Sequence, residues 1–255
     1  MNSRGDSYSA RDLAEHLHRQ WEEKLGPDNR HALQSAYILV RVLASVGPYN
    51  QARLLGEETL ARCRRVLGDD HPDTLHAAHY LAVCLHEAGA FEQARQLNMD
   101  TLARRRHVLG GDHIDVQRTV HNLARNLREL GEVEVARQLH DEVLAHRRHV
   151  LGDEHPYTIN VANDVGYDLH ALGQIEAARQ LHEHNLARAR RVLGEDHPRT
   201  RKAAASLHAP NDASIHPPES PYYEAVGPPC GALPGGRHRQ VGDVGGLGDD
   251  RLRYL

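Results

Sequence analysis

Phenylalanine, tryptophan, lysine and cysteine are all scarce in this sequence of 255 residues. Phenylalanine and tryptophan occur once each, so a core must be built mainly from leucine, alanine and valine. The three cysteines, Cys63, Cys84 and Cys230, lie far apart, and this spacing argues against a disulfide framework or a zinc ribbon. We therefore expect a protein of the reduced cytoplasm.

The sequence also has no excess of positive charge and no long apolar run. It carries 31 basic and 35 acidic residues, for a net charge of -4, so no overall positive field attracts nucleic acid. No segment approaches the roughly 18 apolar residues of a membrane span, and the first residues have no apolar signal core. We expect a cytoplasmic protein without nucleic-acid or membrane partners.

What the sequence does have is a repeat with a period of 42 residues. The segment Leu67 to Leu75, LGDDHPDTL, recurs with variations from Leu25, Leu109, Leu151 and Leu193. A fixed interval without insertions indicates that each unit has the same structural role. The sequence therefore predicts a solenoid of stacked units.

The recurring segment has the features of a helix end followed by a helix start. Gly68 suits the left-handed conformation that closes a helix, and Pro72 suits the first turn of the next one. His71 recurs as His113, His155 and His197, which indicates a structural part of the turn. We call this segment the linker.

Each unit contains two amphipathic helices separated by a glycine. In one unit, residues 73–88 and 91–108 each carry an apolar stripe with spacings of three and four residues. A column of alanines in the second helix allows the neighbouring helix to approach closely: Ala52, Ala94, Ala136 and Ala178. Two facing stripes predict an antiparallel helix hairpin.

These units resemble tetratricopeptide repeats of the long kind found in kinesin light chains and many bacterial proteins. The matching residues in one unit are Leu81, Ala82, Leu85, Gly89, Ala94, Thr101 and Leu102. The resemblance covers about residues 10–208 and implies an all-α fold, a right-handed superhelical solenoid of helix hairpins. In this family the first helices line a concave groove.

The pattern divides the chain into three parts. Residues 1–9 are predicted to be flexible, and residues 10–208 to form the solenoid. The solenoid comprises an orphan second helix at 10–24, repeats starting near 25, 67, 109 and 151, and a partial repeat from 193. Residues 209–255 are rich in proline and glycine and are predicted to be disordered. They are either a native tail or the product of a change of reading frame.

The histidines and cysteines are the candidates for metal binding or catalysis. Histidine pairs such as His76/His79 and His146/His149 could share a helix face, but no zincin motif or convergent catalytic set accompanies them. Cys84 lies on an apolar stripe, where a free thiol is usually inert. We expect no enzymatic activity, no metal and no cofactor.

The predicted groove is the candidate site, because its columns vary while the packing columns repeat. Its arginines could bind carboxylates and its asparagines an extended backbone, so we predict a scaffold that binds an acidic or extended peptide of a partner protein. The alternative is a merely solvated polar face. The predicted groove residues are Tyr37, Arg41, His76, His79, His86, Arg118, His121, Arg125, Arg128, Asn160, Asn163, Tyr167 and His170.

Two further hypotheses come from other classes. The chain could be a regulatory or sensor fragment of a larger signalling ATPase, because bacterial arrays that resemble this one often follow a nucleotide-binding domain. This sequence contains no phosphate-binding loop. Alternatively, the incomplete repeat from Leu193 could mediate self-association, since unprotected solenoid ends can stack.

Overall fold

The computed structural model describes the backbone of residues 3–208, and the side chains of residues 10–207 apart from Pro198 and Lys202. This part of the chain is built from helices, without a β-strand. The helices, in chain order, are α1 (Ser3–Leu25), α2 (Arg30–Val46), α3 (Tyr49–Leu67), α4 (Pro72–Glu87), α5 (Phe91–Leu109), α6 (Ile114–Glu129), α7 (Val133–Leu151), α8 (Pro156–Ala171), α9 (Ile175–Leu193) and α10 (Pro198–His208).

Each helix packs mainly against its neighbours in the chain, and each first helix also contacts the first helix of the next unit. The first helices of the units are α2, α4, α6, α8 and α10, and the second helices are α3, α5, α7 and α9. The predicted all-α solenoid of antiparallel helix pairs is confirmed. The predicted tail, residues 209–255, lies outside the described residues.

The first helix is longer than the sequence analysis predicted. Residues 1–9 were expected to be flexible, whereas α1 begins at Ser3. No proline interrupts this segment, so the helix continues about two turns beyond Ala10 towards the N-terminus. From Ala10 onwards α1 keeps the register of a second helix and packs against α2.

Small residues set the distance between helices. The four alanines of the predicted column are almost completely buried. Gly166 lies inside α8, where a Cβ atom would lie 2.5 Å from the ring of His182. The glycine therefore makes room for a buried histidine of α9.

The linker histidines cap the first helices. His71 is the N-cap of α4, and its Nδ1 atom accepts a hydrogen bond from the backbone N–H of Asp73 at 3.1 Å. His155 and His197 accept equivalent bonds from the N–H groups two residues on, at 3.2 Å. Gly68, just before this cap, has φ of 91° and ψ of 161°. That conformation has the expected positive φ, but it is the extended glycine region rather than the left-handed helical one.

These caps make stability depend on pH, because only an unprotonated Nδ1 atom can accept. Burial, and then nearby arginines, lower the pKa of His155 and His197. A group with a lowered folded pKa contributes stability that is present above its unfolded pKa of about 6.5 and is lost as the pH falls through the folded pKa. Between pH 7.5 and pH 5, we expect the free energy of unfolding of the variant His155→Asn/His197→Asn to fall by about 2 kcal/mol less than that of the wild type. This difference corresponds to the loss of both histidine caps in the wild type.

Thermal unfolding at several pH values, followed by circular dichroism, measures this difference. Asn29 is the natural control, since it already caps α2 by accepting from the N–H of His31 at 2.9 Å. Equal pH profiles for the two proteins would show that the caps do not contribute to the acid sensitivity.

Candidate functional site

The predicted groove residues all lie on α2, α4, α6 and α8, and together they form what we call the first-helix face. They differ in exposure. The half-buried ones are Tyr37, Arg41, His76, Arg118, Tyr167 and His170. The buried ones are His79, His86, His121, Arg125, Arg128, Asn160 and Asn163. About half of the set is therefore accessible to a partner without rearrangement.

Aromatic rings line the part of this face formed by α2 and α4. The rings of Tyr37 and Tyr80 stack with centroids 5.7 Å apart, and His76 lies 6.1 Å from Tyr37. The Arg41 guanidinium lies 5.9 Å from the centre of the Tyr80 ring. These flat, partly exposed rings could stack on a ligand side chain. The sequence analysis did not single out Tyr80, which lies one position beyond the predicted column.

Burial governs the protonation of the histidines and the tyrosine here. Burial lowers the pKa of His76, and lowers that of His79 further. Burial, and next the Asp73 carboxylate, raise the pKa of Tyr37. At neutral pH this part of the face thus presents neutral imidazole and phenol groups, which donate and accept hydrogen bonds without carrying charge.

The three arginines of α6 are paired with carboxylates of the chain itself. Arg118 donates to Asp115 at 3.0 Å, and Arg125 donates to Glu87 at 3.2 Å. Arg128 donates to Asp168 at 3.3 Å. The sequence analysis predicted that the groove arginines bind carboxylates of a partner, whereas carboxylates of the chain itself already contact these three arginines.

A buried polar cluster connects α6, α7 and α8. We define it as Arg128, His121, His140, Asp164 and Asp168. His121 Nε2 lies 2.7 Å from an oxygen of Asp164, and His140 Nδ1 lies 2.5 Å from an oxygen of Asp168. Arg128 stands over the ring of Tyr167, 5.6 Å from its centre. Sequence reasoning assigned no role to the two aspartates, although carboxylates four residues apart inside an apolar helix were a visible signal.

Amide groups extend the polar contacts to α4 and α9. Asn163 accepts a hydrogen bond from the Asn185 amide at 3.1 Å, and His86 lies 2.7 Å from the Asn126 side-chain oxygen. Tyr167 is hydrogen bonded to Ser206 of α10. Several predicted groove residues therefore hold neighbouring units together, besides any role in recognition.

The cysteines have the environment of core residues. Cys63 and Cys84 are both fully buried, and burial raises the pKa of each thiol to about 11. At neutral pH both stay protonated and are therefore poor nucleophiles.

No helix of the described part of the chain combines the length and apolarity that a bilayer crossing requires. This finding concerns residues 3–208.

Comparisons with known proteins identify the repeat. A family model described as a tetratricopeptide repeat matches residues 33–107 and 115–184. A solved structure of a Podosopora anserina protein, described as a kinesin light chain with nearly identical TPR-like repeats, is 26% identical, with a TM-score of 0.60. The match covers 74% of this chain and 89% of that one. No curated protein matches the sequence significantly.

Two more distant structures share the fold. BtubC from P. vanneervenii is 18% identical, has a TM-score of 0.60, and matches over 81% of this chain and 82% of that one. A Rap protein complexed with competence and sporulation factor is 10% identical, with a TM-score of 0.61 over 80% of this chain and 60% of that one.

Proposed function

Because the chain belongs to the tetratricopeptide repeat family, we propose that it is a non-enzymatic scaffold that holds an extended peptide segment of a partner protein on the first-helix face. The observation that carries the proposal is the row of half-buried polar and aromatic side chains along α2, α4, α6 and α8. A Rap protein with this fold is described in complex with a competence and sporulation factor, which supports ligand binding by such a scaffold.

The side chains of this row suit a peptide better than a folded surface. Tyr37 and His76 offer flat rings, and Tyr167 and His170 offer hydrogen-bonding groups two to three units further along the chain. An extended segment advances about 3.3 Å per residue, so a peptide can reach several units in turn. Since a micromolar complex needs about 8 kcal/mol, recognition must be spread over such separate contacts.

We propose that acidic side chains of the segment contact Arg41 and Arg118. These are the arginines of the predicted groove that are half-buried rather than buried. An incoming carboxylate at Arg118 would compete with Asp115, which lies 3.0 Å away. The contribution of each contact is therefore modest, about 1 kcal/mol at most.

The test is a library of random peptides displayed on a surface, followed by fluorescence anisotropy with the selected peptides. We expect Arg118→Ala to weaken binding about fivefold, which corresponds to about 1 kcal/mol, without unfolding the protein. The matched control is Arg179→Ala, an exposed arginine of α9 that pairs with Glu176 and Glu183. It should leave the affinity unchanged.

Replacing the acidic residues of a selected peptide by their amides separates the two parts of the proposal. A loss of affinity of the same size as in Arg118→Ala supports the acidic preference. An unchanged affinity contradicts that preference and leaves the extended-peptide scaffold. A library without any binder to the wild type contradicts the scaffold itself.

We also propose self-association of the solenoid. Leu13, Leu17, Trp21 and Leu25 form a stripe on α1 and are between 37% and 59% exposed. At the same register in α3, Leu55 and Cys63 pack into core clusters with residues of α2. Since α1 has the register of a second helix, the missing cover is a first helix. The helix α10 of another copy has that register, and among the described residues no second helix follows it.

Sedimentation equilibrium over a concentration series tests this contact. We expect reversible association of the wild type and a monomer for Leu17→Asp. A strictly monomeric wild type at high concentration contradicts the proposal.

A further inference from the structure

Two histidines and an aspartate meet inside the solenoid where α6, α7 and α8 pack together. One nitrogen of His121, one nitrogen of His140 and one carboxylate oxygen of Asp164 all lie within 4.8 Å of one another. The three residues come from three different helices and are all buried, so the fold itself holds them in place.

The hydrogen bonds of His140 leave one ring atom available. Its Nδ1 atom lies 2.5 Å from Asp168, which is fully buried, and a carboxylate there accepts the Nδ1 proton. With that proton on Nδ1, the other ring nitrogen, Nε2, is the atom that can bind a metal ion. Nε2 is buried and has no hydrogen-bond partner among the described residues. A buried lone pair without a donor is costly, and a carboxylate that orients a histidine in this way is a recurrent partner of metal-binding histidines.

We propose that His121, His140 and Asp164 form a binding site for a divalent transition metal ion, with Zn²⁺ as the best match to two imidazoles and one carboxylate. Zn²⁺ binds imidazole nitrogen and carboxylate oxygen at about 2.0–2.2 Å, which puts ligand atoms of a tetrahedral site about 3.3 Å apart. His121 Nε2 and Asp164 are already 2.7 Å apart. Since the three ligand atoms lie within 4.8 Å of one another, side-chain movements of up to about 1.5 Å complete the geometry, and a water molecule would supply the fourth ligand.

The charge around the site is compatible with a cation held by neutral imidazoles. Two carboxylates, Asp164 and Asp168, face the guanidinium of Arg128. The positive charge of Arg147 also acts on His121 and Asp164. However, the Arg147 guanidinium is held in place by the hydrogen bond that it donates to the Tyr157 carbonyl oxygen at 3.1 Å. Binding would replace the hydrogen bond between His121 and Asp164 by two metal bonds. His121 lies on the first-helix face and is 7% exposed, so a metal ion would reach the site from that face.

The experiment uses the full chain, dialysed against a chelator and then titrated with ZnCl₂ at pH 7.5 by isothermal calorimetry. CoCl₂ serves as a spectroscopic probe, because tetrahedral Co²⁺ with nitrogen and oxygen ligands absorbs strongly in the visible range. We expect one equivalent of metal per chain, and at least tenfold weaker binding for His140→Gln and for the near-isosteric Asp164→Asn. Bound metal should also raise the Tm of the wild type, because the unfolded chain lacks the site.

The control is the double variant His146→Ala/His149→Ala, which removes a surface histidine pair on the same helix as His140. It should bind Zn²⁺ like the wild type. Loss of binding in this control, or an affinity of the wild type no higher than that of His140→Gln, overturns the proposal. If both site variants fail to fold, the Co²⁺ spectrum of the wild type decides: octahedral, weakly absorbing Co²⁺ or no bound Co²⁺ also overturns it.

Discussion

Replacing Arg128 by alanine is expected to lower the free energy of unfolding by about 3–5 kcal/mol. The Arg128 guanidinium donates to Asp168 at 3.3 Å and lies 3.7 Å from Asp164. The side chains of all three residues are buried, and that of Asp168 is completely so. Without the arginine, the two buried carboxylates lose the guanidinium that both of them face. Leaving a charge buried without its partner costs far more than losing a surface ion pair.

Urea unfolding followed by circular dichroism measures this effect, and an unchanged m value shows that the same structure unfolds. Arg179→Ala is the control, since Arg179 makes two exposed ion pairs and its loss should leave the stability nearly unchanged. A second variant, Arg128→Met/Asp168→Asn, removes both charges and should regain part of the stability. If Arg128→Ala alone lowers the free energy of unfolding by less than about 1 kcal/mol, other groups must compensate the negative charge of the two carboxylates.

The repeat predicted most of the fold because packing requires the same residues in every unit. The alanine column, the linker glycines and the glycine between the paired helices recur at one interval, and the helix bounds of α4 and α5 agree with the predicted ones within about one residue. The first helix was the exception. Its extension to Ser3 lies before the first residue that aligns with a later unit, so the repeat carried no information about it.

The candidate site was less predictable, because its contacts do not recur. The columns of the first-helix face correctly placed its residues on α2, α4, α6 and α8. The partners of the arginines were missed, since Asp164 and Asp168 interact through space with α6 and α7, and these contacts join residues about 28 to 43 positions apart. The repeat pattern therefore did not indicate that carboxylates of the chain itself contact the groove arginines.

The arginines that recur inside the second helices were also visible in the sequence but were not interpreted. Arg105 of α5 and Arg147 of α7 occupy one register, and both side chains are buried. Arg105 donates to the backbone oxygen of Asp115, and Arg147 donates to that of Tyr157, the corresponding residue one unit later. A charged residue that repeats inside an otherwise apolar stripe thus indicated a structural role in stacking.

We accordingly expect Arg105→Ala to destabilise the protein by about 3 kcal/mol. The Arg105 side chain is 1% exposed and bridges three helices. From α5 it donates to the Leu75 oxygen of α4 at 3.2 Å, and to the Asp115 oxygen and the Thr119 hydroxyl of α6 at 3.0 and 2.8 Å. Removing the side chain leaves a cavity and removes the hydrogen bonds that join α5 to α4 and to α6.

The neighbouring Arg104 is a matched control on the same helix. Its guanidinium pairs with Asp70 and Asp100 at the surface, so Arg104→Ala should cost less than about 1 kcal/mol. Arg105→Lys tests the geometry, because a lysine ammonium lacks the planar fork that reaches α4 and α6 together, and it should recover only a minor part of the loss. Equal stabilities of Arg105→Ala and Arg104→Ala in urea would mean that the buried contacts of Arg105 do not stabilise the stacking of α4, α5 and α6. A large difference would mean that buried guanidinium groups fix the stacking of α4, α5 and α6.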